Sequence, residues 1–71
     1  MSTEVRADMA ATVFQLLVSA GDQVDADAEL LVLESMKMEV PVLAERPGTV
    51  RRVAVQEGAV VAEGDLLVVL D

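Results

Sequence analysis

The sequence predicts an all-β fold: a flattened eight-stranded barrel-sandwich of two antiparallel sheets, its halves related by a pseudo-two-fold axis. Three observations lead there. Short Val- and Leu-rich stretches recur between Gly or acidic turn residues. No apolar period of 3.6 residues is sustained over the roughly 11 positions an amphipathic helix needs. A shift of 37 residues overlays the chain on itself, so that 5–34 returns as 42–71 with ten identities. Two copies are fewer than the three or more a solenoid requires. They suit one closed domain over 1–71, with two sheets packed face to face.

The strands are expected near 5–9, 11–18, 23–24, 29–35, 38–44, 48–55, 60–61 and 66–71. The first rests on Val5 and Ala7, which recur as Val42 and Ala44. The second opens on Thr12-Val13, repeated as Thr49-Val50 in the sixth. Val13 and Leu16 differ in parity yet both read as core-facing, as do Val50 and Val53. A β-bulge is therefore expected at the same place in each copy. Gly21-Asp22 leads into the short strand Gln23-Val24, and Gly58 leads into Val60-Val61. Glycine supplies the positive φ such turns need. Leu30, Val32 and Leu33 of the fourth strand return as Leu67, Val69 and Leu70 of the eighth. Gly64 reads as a turn residue, Pro41 as an edge-strand proline, and Arg51-Arg52 as a solvated strand face.

Composition narrows the function classes. A chain of 71 residues buries only about 60% of its unfolded surface, so a stability of a few kcal/mol is expected. There is no Cys and no His, which removes disulfides, thiolate chemistry and the usual zinc ligands. Thirteen acidic against five basic residues give a net charge of −8. Phosphate backbones and anionic membrane surfaces would be repelled, so neither nucleic acid nor membrane is an expected partner. The acidity suits a soluble protein that meets basic patches on other proteins. No apolar run approaches the ~18 residues that span a bilayer, and MSTEVRADMA lacks the basic-then-apolar order of a secretory signal. A cytoplasmic monomer is expected.

The join between the copies, Glu34-Ser35-Met36-Lys37-Met38-Glu39, is the unusual stretch. Apolar runs Leu30–Leu33 and Val40–Ala44 flank it, so it reads as a hairpin tip. A two-residue Met36-Lys37 loop pairs Ser35 with Met38, Glu34 with Glu39 and Leu33 with Val40. That arrangement places Met and Lys where Asn-Gly is favoured, and it sets two like charges opposite each other. When local rules fail in an otherwise consistent chain, function is the first suspect. Lys37 is the sole lysine. A lysine amine has a reference pKa of about 10.4 and is almost wholly protonated at pH 7. An exposed one is a poor base or Schiff-base former, but a good acceptor for an enzyme that brings an activated acyl group and its own base. The pseudo-symmetry pairs this join with the gap between the chain ends, so the termini should meet at the pole opposite Lys37.

These residues resemble the biotin attachment motif of biotin-dependent carboxylases, whose core is Met-Lys-Met at a hairpin tip. The twofold β repeat and the Gly-Asp-x-Val…Leu-Leu-Val pattern before the motif extend the resemblance over essentially the whole chain, which is similar to small stand-alone biotinyl-domain proteins. It implies a biotin carboxyl carrier with no catalytic residues of its own. It also implies that a biotin protein ligase joins biotin to Lys37 by an amide, with Met36 and Met38 contacting the ligase and carboxylase sites. Glu34, Ser35 and Glu39 are further candidates for partner recognition. The biotinyl arm would be carboxylated at a biotin carboxylase site and discharged at a carboxyltransferase site. Two departures stand out: Ser35 where the family commonly has Ala, and Ala7-Asp8-Met9-Ala10-Ala11 where it often has Ala-Pro-Met-x-Gly. No insertion is long enough for a protruding thumb loop. A lipoyl carrier shares the fold and the tip lysine, but there Asp usually precedes the lysine and Ala follows it. An unmodified barrel-sandwich binding module is the third reading.

Overall fold

The computed structural model describes residues 2–71. Eight strands form two four-stranded antiparallel sheets. In chain order they are β1 (Thr3–Arg6), β2 (Ala11–Leu16), β3 (Gln23–Val24), β4 (Glu29–Ser35), β5 (Met38–Leu43), β6 (Gly48–Val53), β7 (Val60–Val61) and β8 (Leu66–Leu70). One sheet runs β1-β8-β6-β3 and the other β5-β4-β2-β7. Replacing each strand of the second order by its repeat counterpart (β5 by β1, β4 by β8, β2 by β6, β7 by β3) gives the first, so the internal repeat is a repeat of topology. It extends to single hydrogen bonds. The Val13 N–H donates to the Ala59 carbonyl and the Val50 N–H to the Asp22 carbonyl, at 2.8 and 2.7 Å.

Five strands differ from expectation at their ends. β2, β5, β6 and β8 stop one or two residues early, because the chain leaves the ladder once its side chains reach a turn. β1 starts and ends sooner than 5–9, covering Thr3–Arg6. Thr3 and Glu4 pair with Leu70 and Val69, partners that local sequence cannot reveal. Ala7, within the expected 5–9, is instead taken into the core and into bonds with Gly64 and Asp65. Met1, inside the expected 1–71 span, lies outside the described residues.

The two expected bulges are present at equivalent places. Register shifts between Val13 and Gln15 on β2, and between Val50 and Arg52 on β6. The extra residue lets Val13 and Leu16 both face inward, and it turns two consecutive side chains outward in each copy: Phe14-Gln15 on one sheet, Arg51-Arg52 on the other.

The core lies between the sheets and contains only Ala, Val and Leu. Val13, Leu30, Leu31 and Leu33 from the first copy face Val50, Leu67, Val68 and Leu70 from the second, each at most 2% exposed. No buried polar side chain interrupts it among the described residues. Burying a Val or Leu side chain contributes about 1.5–3 kcal/mol, so this cluster is the main term opposing chain entropy in a domain without crosslinks. Two exposed ion pairs, Arg6–Glu4 at 2.7 Å and Arg51–Asp71 at 3.7 Å, contribute little.

Topology also sets the poles. Thr3 pairs with Leu70, so the described ends lie together. β2 begins beside the β4–β5 tip, with Thr12 opposite Glu34. It runs away from that tip, and the chain continues into β3, where Gln23 pairs with Thr49. Thr49 is bonded to Asp71. The chain ends and the β4–β5 tip therefore occupy opposite poles of a body measuring 32 × 17 × 17 Å over its Cα atoms.

Candidate functional site

The β4–β5 hairpin has the expected register. Ser35 pairs with Met38, Glu34 with Glu39 and Leu33 with Val40. Leu33 is 1% exposed and anchors the hairpin stem in the core. Beyond it the strands leave the sandwich and every side chain from Glu34 to Glu39 except half-buried Ser35 is exposed. The stem is thus rigid because it is packed, and the tip is free because it extends past the packing.

The two-residue loop is Met36-Lys37, with φ of 52° and 65°. Two consecutive positive φ values are what a type I′ turn requires, and this turn matches the right-handed twist of its strands. Side chains other than Gly, Asn and Asp are strained there. Met36 is 92% exposed and Met38 66% exposed, so neither methionine offsets that strain by filling the core. Glu34 and Glu39 sit directly across the ladder from each other, a mildly unfavourable pair. Two locally unfavourable features therefore coincide at this tip.

Lys37 stands between these groups, exposed, with neither of the two ion pairs involving it. A cleft of about 270 Å³ lies between the edge strands β1 and β5 and is lined by Thr3–Arg6 and Val40–Leu43 among others, but not by the tip. Among the described residues no group of three or more His, Cys, Asp or Glu is placed to hold a metal ion. The arrangement offers a solvent-facing amine flanked by two flexible apolar side chains on a stiff stalk. It can be approached by a larger active site and cannot itself enclose a substrate.

The structure brings together all six residues singled out from sequence: Glu34, Ser35, Met36, Lys37, Met38 and Glu39. Sequence reasoning did not foresee that Asp27 also takes a positive φ, 69°. Its repeat mate is Gly64, at 92°, and that correspondence is the signal that could have found it. It also passed over Phe14 and Val60, whose exposure of 49% and 82% is unusual for apolar side chains of their size.

With that geometry established, comparison with known proteins gives a consistent picture. A family profile described as "Biotin-requiring enzyme" matches residues 3–70. The chain is 47% identical over 70 residues to a biotinylated protein TB7.3 homolog of Mycobacterium leprae, covering 99% of each chain. It is 46% identical over 66 residues to a biotin/lipoyl attachment protein of Bacillus subtilis, covering 93% of this chain and 90% of that one. Among solved structures it resembles part of a single-chain, multi-domain long-chain acyl-CoA carboxylase. The TM-score is 0.89 at 38% identity, over 96% of this chain and 7% of the other.

Proposed function

Because the chain belongs to the biotin/lipoyl attachment family, we propose that it is a biotin carboxyl carrier loaded on Lys37. The observation that carries this reading is the placement of the chain's sole lysine, exposed between Met36 and Met38 on a strained turn at the pole away from the chain ends. A prosthetic group held by an amide needs an accessible amine on a firm stalk and no pocket of its own. The hairpin fits that need.

In this reading the loading reaction is acyl transfer. A biotin protein ligase supplies an activated biotinyl group and a base. The Lys37 Nζ gives up a proton, attacks the acyl carbon and forms an amide, and the activating group leaves. The net charge moves from −8 to −9. Bound biotin supplies a nitrogen that accepts CO₂ at a biotin carboxylase site and releases it at a carboxyltransferase site. This chain's residues position the arm. Leu33 and the β4–β5 ladder hold the stalk, and Met36 and Met38 offer adaptable apolar contacts to several enzymes. Glu34, Ser35 and Glu39 present a polar rim. Tethering keeps the group at roughly mM effective concentration near each site. The carrier is a cytoplasmic monomer with no bond-making residues.

The test is incubation with biotin, ATP and a biotin protein ligase, followed by intact mass and peptide mapping. One biotinyl group on the peptide containing Lys37 is expected, and none on Lys37→Arg, which keeps its fold. A lipoyl ligase assay run alongside gives the competing outcome: lipoylation without biotinylation overturns the proposal, and acceptance of neither group favours an unmodified module.

A further inference from the structure

Hydroperoxides find few side chains to attack in this chain. Cys, His, Trp and Tyr are absent, so the four methionines carry its readily oxidised atoms. Met9 packs partly buried against the core. Met36 and Met38 are 92% and 66% exposed, and they stand immediately before and after Lys37, the sole lysine. The most accessible sulfurs among the described residues therefore flank the amine that is to be loaded.

The fold does not depend on these two sulfurs. The buried core is Ala, Val and Leu throughout, and neither methionine packs against it. Met36 occupies the turn. Met38 pairs with Ser35, the next pair beyond Leu33–Val40 on the same face of the hairpin, and so lies past the end of the packed stem. An oxygen added to either sulfur meets solvent, and the core beneath is inert to peroxide. Recognition responds differently. A thioether is a flexible apolar contact, whereas its sulfoxide is polar and chiral. An enzyme that closes on Nζ has to meet the residues on either side of it, and a polar group brought into an apolar contact without a hydrogen-bond partner is costly.

We infer that Met36 and Met38 form a reversible sulfoxidation site, oxidised by hydroperoxides, and that its oxidation slows the loading of Lys37. This rests on the proposed carrier function. The step is an oxygen transfer. A sulfur lone pair attacks the terminal oxygen of the hydroperoxide, an S–O bond forms as the O–O bond breaks, and the remaining oxygen leaves with the proton as an alcohol, or as water from hydrogen peroxide. Sulfur loses two electrons and the hydroperoxide gains them. Methionine sulfoxide reductases, one for each sulfoxide epimer, reverse the step; a dithiol becomes a disulfide and the oxygen departs as water. Exposure makes both directions accessible, and the intact core distinguishes a switch at the tip from oxidative damage to the domain.

The test starts from unloaded carrier, partly oxidised with hydrogen peroxide that is then removed by catalase. The pool is given biotin, ATP and a limiting amount of biotin protein ligase, and the loaded fraction is captured on avidin. Peptide mass should show the captured fraction depleted of sulfoxide at Met36 and Met38 and not at Met9. Fully oxidised carrier should load about tenfold more slowly, the size of one unpaired polar group at a contact. Far-UV circular dichroism should be unchanged, and treatment with both reductases should restore the rate. Met9→Leu should keep the sensitivity to peroxide. Met36→Leu with Met38→Leu, compared with its own untreated rate, should lose it. The capture experiment needs no variant, so it decides the question even if the double variant loads poorly. Equal sulfoxide at Met36 and Met38 in captured and uncaptured fractions overturns the inference. So does a rate loss that persists in the double variant, that the reductases do not reverse, or that tracks loss of the β signal. If the untreated parent accepts no biotin, the carrier reading itself fails, and intact mass shows this before any oxidation is begun.

Discussion

Replacing Met36 by Asn should make the protein more stable and a worse substrate for its ligase. Met36 holds φ at 52° and is 92% exposed. The left-handed conformation costs an ordinary L-residue roughly 1–2 kcal/mol, and Asn is among the few side chains that adopt it readily. Almost no packing is lost, since the thioether meets solvent. The expected net gain is about 0.5–1 kcal/mol. For a domain of this size, Tm rises about 4–8 °C per kcal/mol, giving an increase of about 2–8 °C. The chain has no Trp or Tyr, so unfolding is followed by far-UV circular dichroism in urea and on heating. Ligase loading of the same variant should fall about tenfold, because an apolar contact beside Nζ has become an amide. A variant less stable than the parent would show that the turn is not strained by Met36. Unchanged loading would show that the ligase does not contact this side chain.

Other outcomes follow from the same geometry. Gly64→Ala should lose about 1–2 kcal/mol: an added Cβ meets nothing within 4 Å, so the loss is backbone strain at φ 92°. Asp27→Gly at the mate position should lose nothing, and paired urea titrations check both. Leu33→Ala, which empties a site at the base of the stalk, should cost about 2–5 kcal/mol. That is comparable to the whole stability expected of a small core, and loss of a cooperative melt at 37 °C would be the sign. Limited peroxide should oxidise Met36 and Met38 before Met9, which packs partly buried against the core, as read by peptide mass. Oxidation of Met9 first would contradict the exposed tip.

Much of this protein was decided by local chemistry and periodicity in the chain. The bulge could be read because Val13 and Leu16, like Val50 and Val53, face the same core despite opposite parity. The hairpin register could be read because apolar runs on both sides of Met36-Lys37 leave only one alignment that buries Leu33. A repeat of 37 residues implied twofold topology, and that in turn placed the chain ends at the pole opposite the lysine. Tertiary structure alone decided three things. β1 begins at Thr3 because Leu70 and Val69, almost the whole chain away, supply its partners. Asp27 bends into positive φ because its N–H is drawn to the Ala44 carbonyl at 2.7 Å, a bond across sequence that no local propensity signals. Phe14 and Val60 emerge on the sheet that holds the Lys37 hairpin, with Leu17 just past β2, and Arg6, Arg51 and Arg52 on the opposite sheet. Period-two patterning tells which side chains leave the core, while only the assembled sheets determine which of them become neighbours.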